Sequence, residues 1–163
     1  MTDTSLAAPG HQTVRWLTAT EQDAWRQFLD ATRDLLDVLD KQLQTEADMP
    51  FAYYDILVVL SEAPDHALRM GELARRLRCS SSRLTHAITR LEANGWARRV
   101  STPADRRGAV AILTPAGHHA LVAAAPGHVR AVRHHVIDPL TPEQVTHLAD
   151  ISRTISRTFT RHS

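Results

Sequence analysis

Ser80-Ser-Ser-Arg-Leu-Thr-His-Ala-Ile-Thr-Arg-Leu-Glu-Ala-Asn-Gly95 is the stretch around which the rest of the chain is arranged. At about 100° per residue, Leu84, Ala87, Ile88 and Leu91 fall on one apolar stripe, the face a core-packed helix needs. The opposite stripe carries Ser82, His86 and Thr89, flanked by Arg83, Thr85 and Arg90, with no acidic residue. These are side chains that reach base edges and phosphate oxygens in a DNA groove. Asn94-Gly95 supplies a left-handed stop, giving a helix of about four turns. An ordinary solvated face that lacks carboxylates has the same pattern, so the surroundings decide.

The surroundings are strongly polarised. Between residues 69 and 107 there are ten arginines and three acidic residues, a net charge of +7, while the rest of the chain carries −6. Positive charge gathered around one candidate helix is the footprint of a polyanion binder. The overall balance of +1 over 163 residues conceals it. Hydrophobic content of 43% and charge of 23% fit a globular fold, and aromatics at only 5% favour helices over a sheet sandwich. There is no apolar run long enough to cross a bilayer and no signal-peptide pattern, so the expected location is cytoplasmic, with no membrane partner.

Taken outward, the pattern is helical. Thr18 with Glu21 forms a capping box, and Trp25, Phe28, Thr32, Leu35, Leu36, Leu39 and Leu43 recur at three- and four-residue steps over a helix from about residue 20 to 46. A stripe this long implies a partner helix, here a second copy of the chain. Met49-Pro50 opens a second helix that is apolar nearly all round and should be central. Gly71 to Leu77 reads as a two-turn helix, and the tight turn at Arg78 to Ser81 joins it to the opening stretch as a helix-turn-helix. Beyond Gly95 the period becomes two, over Trp96 to Val100 and Ala109 to Leu113, a hairpin with residues 102–108 at its tip. Thr114-Pro115 caps a helix that Pro126-Gly127 must kink or break, and Thr141-Pro142 caps the last one.

In this order of elements the chain resembles the MarR family of bacterial winged-helix transcriptional regulators, over roughly Thr18 to Phe159. The likeness is carried by Arg69-Met70-Gly71-Glu72-Leu73-Ala74, by Leu84 with Ile88 to Trp96, by Asp105-Arg106-Arg107-Gly108, and by Leu113-Thr114-Pro115-Ala116-Gly117. It implies a homodimer on a palindromic operator of double-stranded DNA, with recognition helices about 34 Å apart. The fold class expected is mainly α with a small two- or three-stranded β-wing. The organisation expected is a tail over 1–17, a dimerisation helix over 18–48, a winged helix-turn-helix over 49–114 and further dimerisation helices over 115–163.

The DNA contacts expected from the resemblance are Ser80, Ser81, Ser82, Arg83, His86, Thr89, Arg90, Arg106 and Arg107. Arg107 would enter the minor groove, and Asp105 would fix the wing by pairing with Arg98 or Arg99. For the serines, plain helix capping is an equal reading. Family members also suggest release by a small aromatic or phenolic ligand, for which Trp16, Trp25, Tyr53 and Tyr54 are the candidate lining. The resulting expectation is a dimeric, sequence-specific regulator, a repressor freed by a small molecule. Alternatives are a redox-responsive regulator acting through Cys79 beside Arg78, or a non-specific nucleic-acid-binding module.

An enzyme is not expected: no nucleophile motif, phosphate-binding glycine loop or H-E-x-x-H pattern occurs. No cofactor or metal is expected either. The adjacent pairs His118-His119 and His134-His135 diverge by about 100° on a helix and make poor joint ligands.

Overall fold

The computed structural model describes residues 14–101 and 108–160. Most of the expected tail, and Asp105, Arg106 and Arg107 of the hairpin tip, lie outside the described residues. The chain divides into two compact units, residues 1–34 and 35–163.

In the first unit the predicted capping box is present. Thr18 N–H donates to Glu21 Oε2 at 2.8 Å and Glu21 N–H donates to Thr18 Oγ1 at 3.3 Å, so two of the orphan donors at the start of α1 (Ala19–Ala47) are satisfied. Trp25 and Phe28 lie one turn apart with ring centroids at 6.4 Å, and both are about half exposed.

In the second unit, the rest of α1 contributes Leu39 and Leu43 to the core. α2 (Phe51–Ser61) buries Tyr54, Ile56, Leu57 and Leu60, as its apolar run requires. Its start follows Pro50, and the Phe51 N–H donates to Asp40 Oδ1 on α1 at 2.8 Å. This cap comes from eleven residues upstream, which is why no local pattern announced it. A 3-10 turn at Pro64–His66 leads to β1 (Ala67–Arg69), α3 (Met70–Arg76) and α4 (Ser81–Ala93). Then come β2 (Ala97–Val100), β3 (Val110–Leu113), α5 (Pro115–Val132), a π-helical turn at Arg133–Ile137 and α6 (Pro142–Thr160).

The sheet is antiparallel in the order β1-β3-β2, with Leu68 opposite Ala111 and Arg99 opposite Ala111 on the other side. The predicted hairpin therefore gains a third strand. Ala67-Leu68-Arg69 is too short to show alternation in sequence, and it pairs because β3 offers it a free edge.

Two close approaches fix the base of the wing. Thr114 caps α5 by accepting the Gly117 N–H at 3.0 Å, while its own hydroxyl donates to the Gly95 carbonyl at 2.7 Å and its N–H donates to the Trp96 carbonyl at 3.1 Å. Gly117 is buried against the Trp96 carbonyl, where a Cβ would overlap the oxygen.

Of the expected kink or break at Pro126, the break does not occur: α5 runs on through it to Val132. Val122 and Pro126 are both exposed, so the carbonyl that proline leaves without a donor is near solvent. Gly127 one residue on is buried against Gln42 and Glu46 of α1, which holds that turn in place. The last helix begins as predicted: Thr141 and Gln144 exchange backbone-to-side-chain hydrogen bonds at 2.9 and 3.2 Å. Among the described residues, no helix is long and apolar enough to cross a membrane.

Candidate nucleic-acid interface

α4 takes shape from its cap and its buried stripe. Ser80 is the N-cap, its hydroxyl accepting the Arg83 N–H at 3.3 Å. Leu84, Ile88 and Leu91 are completely withdrawn from water, at 1%, 0% and 0% exposure, against a core that includes Leu57, Leu60 and Leu73. Each such side chain contributes about 1.5–3 kcal/mol by burial. That stripe fixes the rotation of the helix, and everything opposite it is displayed. Ser81, Ser82, Arg83, Thr85, His86, Thr89 and Arg90 are all exposed.

The turn before α4 is strained in one place. Arg78 has φ 51°, the left-handed region that favours glycine. Its guanidinium lies 6.0 Å from the Phe159 ring centroid on α6, within range of a cation–π contact. Cys79 beside it is half-buried and packs on the edge of the core as a small apolar residue.

Among the described residues, two acidic ones near this surface, Glu72 and Glu92, are paired with arginines. Glu72 accepts from Arg76 Nε at 2.8 Å and from Arg75 Nε and Nη2 at 2.6–3.0 Å. These bonds, Arg76's foremost, hold its carboxyl below the usual range. Glu92, on α4 itself, is bound by Arg99 of β2, whose guanidinium bonds lower its pKa against the opposing effect of partial burial. Arg69, Arg78, Arg83, Arg90 and Arg98 are all exposed around the same helix-turn-helix and strand.

Of the wing residues, Arg99 is thus engaged with Glu92, a partner that the sequence reading did not name. Arg98 is exposed on β2, and Asp105, Arg106 and Arg107 lie outside the described residues. Thr89 is also less free than its place on the exposed face suggested. Its hydroxyl donates to the Thr85 carbonyl at 2.9 Å and accepts from Arg99 Nη2 at 3.2 Å.

The four aromatic candidates are divided between the two units. Trp16 and Trp25 belong to the first unit and are exposed. In the second unit Tyr53 is half-buried, while Tyr54 is buried with its ring 4.5 Å from that of His128. Burial pushes the Tyr54 hydroxyl and the Asp55 carboxyl up and the His128 imidazole down, with Asp55 and His128 partly opposing that effect on each other. Sequence reasoning missed this polar cluster, because His128 is separated from Asp55 by most of the winged helix. Among the described residues no three His, Cys, Asp or Glu side chains are grouped closely enough to hold a metal ion. His134 and His135 do meet, edge to face at 4.6 Å, on the π-helical turn rather than on regular helix.

Comparison with known proteins agrees with this geometry. Residues 47–108 match the MarR family profile. The chain is 51% identical to Sco3205, a MarR family transcriptional regulator from Streptomyces coelicolor whose crystal structure is in complex with DNA. That similarity has a TM-score of 0.85 and covers 89% of this chain and 91% of the other. AbsC, a MarR family transcriptional regulator from the same organism, is 42% identical with a TM-score of 0.85, over 91% of this chain and all of that one. The HTH-type transcriptional regulator PecS of Dickeya dadantii is 33% identical over 97 residues, 58% of this chain. The chain spans 57% of the length of PecS.

Proposed function

The chain belongs to the MarR family of transcriptional regulators, and from that premise we propose that it is a dimeric repressor that reads a palindromic operator and is released by a small molecule. The observation that carries the reading is the acid-free, exposed face of α4, set at a fixed rotation by the buried Leu84, Ile88 and Leu91. Arg83, His86 and Arg90 would contact base edges or phosphates, and Ser81 and Ser82 would lie near phosphates. Ser80 acts first as the cap of the helix. Arg106 and Arg107 enter the proposal from the resemblance alone, with Arg107 in the minor groove. The crystal structure of Sco3205 with DNA supports a DNA-bound state for a chain so similar.

Dimerisation is proposed through α6, where Leu148, Ile151, Ile155 and Phe159 recur on one side of the helix and are exposed in the single chain. Release would follow if a bound aromatic or phenolic compound changed the angle between two winged lobes, breaking the match to half-site spacing. Tyr53 and Tyr54 of α2 are the proposed ligand contacts.

A gel shift tests the reading, using a labelled duplex from upstream of the protein's own gene. Retained binding in the presence of a large excess of unrelated DNA is the expected result. Competition at equal mass would instead identify a non-specific module. Adding aromatic and phenolic acids to the same assay identifies the releasing compound.

A further inference from the structure

The sheet order β1-β3-β2 makes β2 an edge strand, with no strand among the described residues on the other side of Ala97–Val100. An edge exposes backbone donors and is a weak place in so small a sheet. At Arg99 the donor is taken by a side chain from α4. The Arg99 N–H donates to Glu92 Oε1 at 2.7 Å, and Arg99 Nε and Nη2 donate to Glu92 Oε2 at 3.0 and 2.6 Å. The same Nη2 reaches Thr89 Oγ1, one turn back on the helix, at 3.2 Å. Both charged side chains are only about a third exposed, at 31% and 28%, so solvent screens this pair only in part.

We propose that Glu92 and Arg99 are positioning residues for DNA binding: they pin the edge strand of the wing to the recognition helix, so that β2 and α4 meet a duplex as one rigid surface. The inference rests on the DNA-binding reading given above. Glu92 takes the place that a fourth strand would occupy beside Arg99, and its carboxylate satisfies the backbone and the side chain together. Thr89 adds a second anchor on the helix, which leaves its methyl group and one acceptor lone pair for a base edge.

Charge alone assigns Glu92 the opposite effect. A carboxylate on a DNA-facing helix repels phosphates, so its removal should tighten binding. The pin requires removal to weaken it, and the sign of the change separates the two.

The test uses the full chain and a duplex from upstream of its own gene, with affinity measured by fluorescence anisotropy over a range of salt concentrations. Wild type, Glu92→Ala and Arg99→Lys are compared, with thermal unfolding recorded for each. Arg99→Lys keeps the charge but lacks the planar fork. Both variants are expected to bind about tenfold more weakly, within the range of coupling between contacting residues. Their salt slopes should flatten by about one unit as a phosphate contact from the wing lapses. Wild-type affinity or tighter in either variant overturns the proposal. Should Glu92→Ala melt below the assay temperature, Arg99→Lys decides alone. Salt-independent or undetectable binding by the wild type overturns the DNA-binding reading itself, a result distinct from any seen in the variants.

Discussion

Single residues at the base of the wing carry more than their size suggests. Gly117 faces the Trp96 carbonyl so closely that Gly117→Ala must move backbone, with the Leu113 side chain 2.9 Å from the new methyl. Urea unfolding should show a loss of about 3 kcal/mol, the upper range for overpacking. Ser80→Ala removes the cap of α4 and should cost about 1 kcal/mol in the same measurement. Glu92 links stability to pH: its folded pKa is depressed, so its contribution is complete above the ordinary carboxylate value and is lost as pH falls through the lowered one. The stability difference between wild type and Glu92→Ala should therefore shrink on acidification, and urea titrations at a series of acidic pH values will show whether it does. The cap at Ser80 was legible because serine precedes an apolar stripe at the right spacing. The Glu92–Arg99 bond was not, since the charge count treated Glu92 only as a subtraction from the arginines.

At the scale of elements, periodicity was a good guide wherever one face had to be buried. The three leucine and isoleucine positions of α4, the all-round apolar α2 and the apolar run of β3 each declare their burial in sequence. It failed where a neighbour supplied what the local sequence lacked. β1 exists because β3 has an edge to fill, and α2 is capped by Asp40 from α1. α5 survives Pro126 because the adjoining turn is packed on α1 through Gly127 and the Arg130–Glu46 pair at 3.5 Å. Gly127→Ala meets only the ends of the flexible Glu46 and Gln42 side chains, so the gain from replacing a glycine inside a helix should prevail, and an unchanged or raised urea midpoint is the expected observation. The proposed recognition surface is α4 as a unit. Arg90→Ala should weaken operator binding without lowering the melting temperature, because Arg90 is exposed and outside the core.

For the molecule as a whole, the proposed dimer and its charge distribution make the same demand, a positive surface presented twice. Sedimentation equilibrium should give twice the mass of one chain, and Ile151→Glu on the exposed row of α6 should shift it toward the monomer. A monomeric wild type would remove the palindrome from the account. The family resemblance and the order of elements were legible from motifs spread over residues 69–117 and from periodicity along the chain, while residues 80–95 with their arginine-rich surroundings pointed to α4 as the candidate recognition helix. The polar cluster of Asp55, Tyr54 and His128 was not, since only folding brings α2 and α5 together. The central claim is that the α4 face binds DNA through its arginines. Its most direct test is the dependence of log Kd on log salt for wild type and Arg90→Ala on the upstream duplex. A steep slope for the wild type, flattened by about one unit in the variant along with weaker binding, is the expected result. Affinity that ignores salt, or a variant whose slope and affinity match the wild type, would contradict it.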